Sequence, residues 1–181
     1  KAVGAANCIA VRGEKLHATN TDATALRRLL APHAGNQPTA VILGSGGAAR
    51  AAHWALKQLH CRVTVVARDV AKAAAAIPGA KVVAWQDRAT VKGDLWIQAT
   101  PLGRAESDEA TATARMMRGA RQAIELVYGD RPTPFEAAAR EAGINLVTGR
   151  EMLVAQAVDA YRFWFGRDAP VEAMRRAGAS D

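Results

Sequence analysis

The residues best suited to chemistry in this 181-residue chain sit in one turn, Gly44-Ser45-Gly46-Gly47-Ala48-Ala49, which fits the pattern G-x-G-x-x-A. Such a turn binds a pyrophosphate: Gly44 permits a tight reversal, Gly46 lets the backbone approach the phosphates, and the small Ala49 lets a helix pack close to a sheet. The N–H groups and partial positive charge at the start of the following helix complete the anion site. Arg68 and Lys72, one helical turn apart, are two cations able to converge on a further phosphate. That pair suits the 2′-phosphate of NADP, whereas an acid in the place of Arg68 would suit the 2′-hydroxyl of NAD. Asp69 between them has two readings, N-cap of the next helix or ligand of a ribose hydroxyl.

These residues act together only if a particular set of elements holds them. Thr39 to Leu43 is a β-branched and apolar run of the kind found in buried parallel strands. Behind the glycines, Ala48, Ala51, Ala52, Ala55, Leu56 and Leu59 mark one face of a helix, and Val63 to Ala67 is a second apolar run that delivers Arg68. Strand, turn, helix and strand within about thirty residues are what a dinucleotide-binding unit requires. Further strands are expected at Lys81–Trp85, Asp94–Gln98, Arg121–Val127 and Ile144–Val147, with Thr100-Pro101-Leu102-Gly103 at the carboxyl edge where ligands of doubly wound sheets bind. Helices are expected over Ala71–Ile77, from Thr133 with Glu136 closing a capping box and Gly143 ending it, from Gly149 to about Phe165, and after Pro170. Ahead of the unit, Ile9–Val11 and Leu16–Thr19 read as a hairpin. A helix with Thr21 or Asn20 as N-cap follows, in which Asp22 is a first-turn acid, and Pro32 to Pro38 is a linker. Glu106 to Glu109 reads as a polar loop. The fold class is therefore α/β, a doubly wound Rossmann-like, mostly parallel sheet with flanking helices.

Composition narrows the partners. Half the residues are hydrophobic, yet no uninterrupted apolar span would cross a membrane as a helix, so no membrane partner is expected. The net charge of +7 comes from dispersed basic residues without runs or aromatic interleaving, which argues against nucleic acid and fits an anionic cofactor and a carboxylate substrate. Cys8 and Cys61 are the only cysteines, without metal-like spacing, and read as reduced cytoplasmic thiols.

Six motifs together resemble the shikimate dehydrogenase family in their order and approximate spacing, across essentially the whole chain. They are Gly4-Ala5-Ala6-Asn7, Asn20-Thr21-Asp22, the turn from Gly44 to Arg50, Ala99-Thr100-Pro101-Leu102-Gly103, Tyr128 with Thr133-Pro134-Phe135, and Gly149 with Met152-Leu153-Val154-Ala155-Gln156-Ala157. The resemblance implies NADP-dependent, reversible reduction of 3-dehydroshikimate to shikimate, a step toward chorismate and the aromatic amino acids. It implies that Asn7, Asp22, Tyr128 and Gln156 contact the substrate, with Asp22 paired to a lysine in acid/base catalysis. It places Gly44, Ser45, Gly46, Gly47, Ala48, Arg68, Asp69, Lys72, Thr100, Leu126, Gly149 and Met152 against the cofactor. Met152 and Gln156, four residues apart on one helix face, would present a flexible apolar contact and an amide side by side. Taken without the family, Asp22 remains a helix-start acid and Gln156 a polar residue on an apolar face.

Read through the resemblance, residues 1–21 are the tail of a substrate domain, 22–148 the NADP-binding domain, and 149–181 helices returning to the substrate domain. The chain departs from the family's usual residues at Cys8, Ala23, Ala67, Asp69 and Arg104. The family's N-terminal substrate domain and its catalytic lysine motif are not matched, so the chain is expected to be the C-terminal part of a larger enzyme, binding NADPH without useful turnover by itself. Phe163 and Trp164 are expected to be partly exposed in that case, and a homodimer stays open. Two alternatives remain: an NAD-linked quinate/shikimate dehydrogenase, which Asp69 keeps open, and a non-catalytic NADP-binding module. A glycine-rich methyltransferase is disfavoured by Arg68.

Overall fold

The computed structural model describes residues 2–105 and 109–178. A hairpin comes first, β1 (Cys8–Arg12) paired antiparallel with β2 (Lys15–Thr19). Helix α1 (Thr21–Leu30) follows, begun by Asn20, whose side chain accepts the Ala23 N–H; Asn20 rather than Thr21 is therefore the N-cap. Then come β3 (Thr39–Leu43), α2 (Gly47–Gln58), β4 (Arg62–Ala67), α3 (Val70–Ala76), β5 (Lys81–Ala84) and β6 (Leu95–Gln98). The chain continues through α4 (Ala114–Met117), β7 (Gln122–Glu125), α5 (Pro134–Glu141), β8 (Asn145–Val147), α6 (Gly149–Phe165) and α7 (Val171–Gly178). Three residues of the expected loop, 106 to 108, lie outside the described residues.

Six strands form one parallel sheet in the order β5-β4-β3-β6-β7-β8, and the order reverses at β3, beside the glycine turn. Alternation along β3 sends Ala40 and Ile42 into one core and Val41 and Leu43 into the other, so both faces of the strand are covered. The first core is rich in alanine because α2 lies close on the sheet through Ala49, Ala51, Ala52 and Ala55, all fully buried. The second holds Trp96, Met117 and Phe135 beneath α4 and α5. Among the described residues, no helix is long and apolar enough to cross a membrane.

Two expected boundaries shift and one expected cap forms elsewhere. The fifth strand was expected over Arg121–Val127 but its ladder covers only Gln122–Glu125, because pairing with the three-residue β8 ends at Ile124 and pairing with β6 at Glu125. Trp85 was expected within a strand but opens a 3-10 helix, since β5 loses its partner after Ala84. Glu136 was expected to close a capping box with Thr133. Thr133 does cap α5, accepting the Glu136 N–H, but the Glu136 carboxylate accepts from the Gly149 N–H and from Arg140 instead. The reciprocal box forms at Thr148 and Glu151, where it starts α6.

The hairpin is fastened to the end of α6. Arg12 donates to the Phe163 carbonyl and lies over its ring, with the guanidinium carbon 5.2 Å from the ring centre, while the Trp164 indole N–H donates to the Ile9 carbonyl. Helix α6 is in turn tied to α1 through Asp159, which accepts from Thr24 and Arg28. This fastening holds the hairpin, α1 and α6 together.

Candidate active site

A cleft of about 720 Å³ opens at the carboxyl edge of the sheet, where β3, β4, β5 and β6 end. Gly44 makes the reversal after β3 at φ +108°, its N–H donating to the Val66 carbonyl, and a Cβ there would stand 2.7 Å from the Ala99 carbonyl oxygen. Any side chain would force the β3 and β6 tips apart. Gly46 differs: a Cβ would meet nothing within 4 Å, so its backbone faces open space. It is also the N-cap of α2 and supplies no capping side chain, which leaves early N–H groups of that helix available to a ligand. Ser45 lines the same wall, Gly47 and Ala48 open the helix, and Ala49 is fully buried behind them.

Arg68 and Lys72 stand exposed on the cleft rim at the tip of β4. Asp69 caps α3, its Oδ1 accepting the Lys72 N–H at 2.9 Å, which engages that oxygen within the backbone. The opposite wall is the loop from Ala99 to Leu102, held by Gln98. Gln98 is fully buried; its Nε2 donates to the Leu102 carbonyl and its Oε1 accepts from the Thr100 N–H and hydroxyl. Cradle, uncapped helix start and paired cations together fit a dinucleotide carrying a 2′-phosphate.

A second cluster lies across α1 and α6. The Asn7 amide meets Thr21 twice, its Oδ1 accepting the Thr21 N–H at 2.8 Å and its Nδ2 donating to the hydroxyl at 3.0 Å. That hydroxyl lies 3.1 Å from Gln156 Oε1 and donates to it, while Gln156 Nε2 donates to the Leu153 carbonyl. Burial raises the Asp22 carboxyl above the ordinary aspartate range, and a hydrogen bond from Asn7 opposes that shift. Thr21 thus joins Asn7 to Gln156, and Asp22 stands beside Asn7. Tyr128 stands apart, 52% exposed beyond β7 and sharing no hydrogen bond with that cluster among the described residues.

A buried acidic seam lies at the end of β7. Glu125, fully buried at the end of β7, accepts the Val127 N–H at 2.8 Å and the Thr133 hydroxyl at 2.6 Å. Desolvation lifts its pKa to about 7; bonds from Thr133, Val127 and Leu126 pull it down, and Glu136 adds a push upward. The Gly149 N–H, bonded to Glu136, ties α6 to the same seam, and a Cβ on Gly149 would fall on the Val127 carbonyl. Leu126 is half-buried here, and Met152 packs in the first core at 4% exposure. Sequence reasoning missed Gln98, Glu125, Thr21 and Trp85. A polar residue closing an otherwise apolar strand was the available signal for Gln98.

Fold and cleft define a dinucleotide-binding domain of the doubly wound class. Residues 149–177 match the family described as "Shikimate 5'-dehydrogenase C-terminal domain". The chain is similar to the NADP(+) shikimate dehydrogenase of Anaeromyxobacter dehalogenans, 38% identical over 97% of this chain and 66% of that protein. It is also similar to the one from Synechocystis, 35% identical over 97% of this chain and 67% of the relative. Among solved structures, the shikimate 5-dehydrogenase of Thermus thermophilus in complex with NADP(H) and shikimate superposes with a TM-score of 0.83 at 28% identity, over 97% of this chain and 68% of that one. The chain therefore belongs to the shikimate dehydrogenase family. It spans 66% of the Anaeromyxobacter protein's length, just under two thirds.

Proposed function

We propose that this chain carries the cofactor side, and part of the substrate side, of an NADP-dependent shikimate dehydrogenase that reversibly reduces 3-dehydroshikimate to shikimate. One observation carries the cofactor half: Arg68 and Lys72 share the rim of the cleft that the open Gly46 backbone lines. NADPH, when bound, supplies the hydride. The chain's own residues shape the cofactor side. Helix α2 offers uncapped N–H groups to the pyrophosphate, Arg68 and Lys72 hold the 2′-phosphate, and Gln98 fixes the facing wall.

On the substrate side, the Asn7 and Gln156 amides and the Asp22 carboxylate are neighbours with polar atoms suited to ring hydroxyls. Asp22 would pair with a proton-donating lysine, holding charge on it as the carbonyl oxygen becomes a hydroxyl. In this reading Tyr128, Leu126, Gly149 and Met152 form the flank between substrate and nicotinamide. Residues 22–148 are the cofactor domain, and residues 1–21 and 149–181 belong to the substrate side. The protein works in the cytoplasm, without nucleic acid or a membrane as partner. The capping role of Asp69 supports NADP over NAD, because it commits a carboxylate oxygen to α3. Steady-state oxidation of shikimate and of quinate, each with NADP+ and NAD+, by an enzyme that joins this chain to the family's N-terminal substrate domain tests this: preference for shikimate with NADP+ is expected, and preference for quinate with NAD+ would replace the assignment.

A further inference from the structure

The cleft contains one feature that binding of phosphates does not explain, an aromatic ring. Trp85 lines it where β5 ends, half-buried and packed on the second core. Arg88 holds the indole: its guanidinium donates to the Trp85 carbonyl at 3.2 Å and its central carbon lies 4.9 Å from the ring centre. Arg88 is not among the residues that line the cleft, whereas Trp85 is.

The strand order decides which part of a dinucleotide meets that ring. Besides its 3′-hydroxyl, the adenosine ribose carries three groups. Its 5′ side leads to the pyrophosphate at the Gly44–Gly46 turn beside β3, and its 2′-phosphate is drawn to Arg68 and Lys72 beyond β4. The base, on the remaining carbon, is left with the walls supplied by the ends of β5 and β6, which are Trp85 and the Thr100–Leu102 loop. A purine stacked on indole gains dispersion and buries two flat apolar faces. Because Arg88 already fixes the indole, little side-chain freedom is lost on binding.

We propose that Trp85 is the stacking platform for the adenine ring, with Arg88 as its positioning residue. The proposal rests on the NADP reading above and deepens it by assigning the base-recognition end of the cleft. It separates two contributions to cofactor binding. Arg68 and Lys72 read the 2′-phosphate and so set NADP against NAD, whereas Trp85 reads the base and acts on both cofactors alike.

The test is calorimetric titration of the 181-residue chain with NADPH, NADH and adenosine 2′,5′-bisphosphate. Trp85→Ala is expected to weaken NADPH and the bisphosphate by about 5- to 100-fold while leaving the NADPH/NADH ratio unchanged. Trp85→Phe, which keeps a ring, should retain most of the affinity. A second readout does not depend on Trp85→Ala folding: adenosine 2′,5′-bisphosphate should quench tryptophan emission of the parent chain and not of Trp85→Phe. Unchanged affinity in Trp85→Ala, or quenching that persists in Trp85→Phe, overturns the stacking assignment and leaves the NADP reading standing. A parent chain that binds neither NADPH nor the bisphosphate removes both.

Discussion

Replacing Glu125 by glutamine should make the protein less sensitive to pH, in a direction the burial of that residue dictates. Glu125 has no solvent exposure, and its two oxygens are occupied by the Val127 N–H and the Thr133 hydroxyl. Those bonds favour the charged form, but desolvation outweighs them and Glu136 adds repulsion, so the folded-state pKa rises from 4.5 to about 7. A carboxyl whose pKa is higher folded than unfolded holds its proton more tightly in the native state. Its contribution is therefore complete below pH 4.5 and is lost as pH rises toward 7, a difference of about 3 kcal/mol. Glutamine cannot ionise, yet its oxygen can still accept the Val127 N–H and its amide can donate to Thr133. Any fixed cost of the exchange is the same at every pH, so the informative quantity is how the stability difference between variant and parent changes. Urea unfolding at pH 5 and pH 8 should show Glu125→Gln gaining about 2–3 kcal/mol on the parent between the two, a relative midpoint shift of roughly 1 M or more. A stability difference that is equal at the two pH values would refute the argument and mean that Glu125 stays ionised when folded.

In an enzyme that joins this chain to the family's N-terminal substrate domain, Asp22→Asn should lower turnover by about 10²–10⁴-fold while NADPH affinity changes little, because the amide keeps the shape but cannot hold charge on a lysine. Stopped-flow or steady-state rates beside a cofactor titration check this, and near-normal turnover would return Asp22 to the role of a helix-start acid. Gly44→Ala should cost about 1–3 kcal/mol of stability and weaken NADPH, since it places a Cβ 2.7 Å from the Ala99 oxygen at φ +108°. A neutral urea midpoint with intact binding would show that the β3 and β6 tips can part.

Much of the fold was legible because the parallel strands are almost wholly apolar and glycine, proline and capping residues punctuate them. Residues Thr39 to Leu43 and the alanine face of α2 needed only periodicity. The lining of the cleft was equally plain, since it is local: Gly44 and Gly46 lie in one strand-turn-helix-strand unit, Arg68 follows its last strand, and Lys72 sits in the first turn of the next helix. What the sequence hid was long-range pairing of polar groups. Glu136 has the spacing of a capping-box acid, but the approach of α6 gives its carboxylate a better donor in the Gly149 N–H, thirteen residues on. The Asn7–Thr21–Gln156 contacts join residues separated by up to 135 positions, which no local pattern encodes. Trp85 was absorbed into a strand because its β-propensity is high, although its partner strand had already ended.

The central claim, that Arg68 anchors the 2′-phosphate of NADP, is tested most directly by fluorescence titration of NADPH and NADH against the parent chain and Arg68→Ala. A charge-assisted contact of this kind is worth about 1.5–3 kcal/mol, so NADPH should weaken roughly ten- to a hundredfold and NADH hardly at all, with Lys72→Ala showing a smaller change in the same direction. Equal losses for the two cofactors, or none for either, would contradict it.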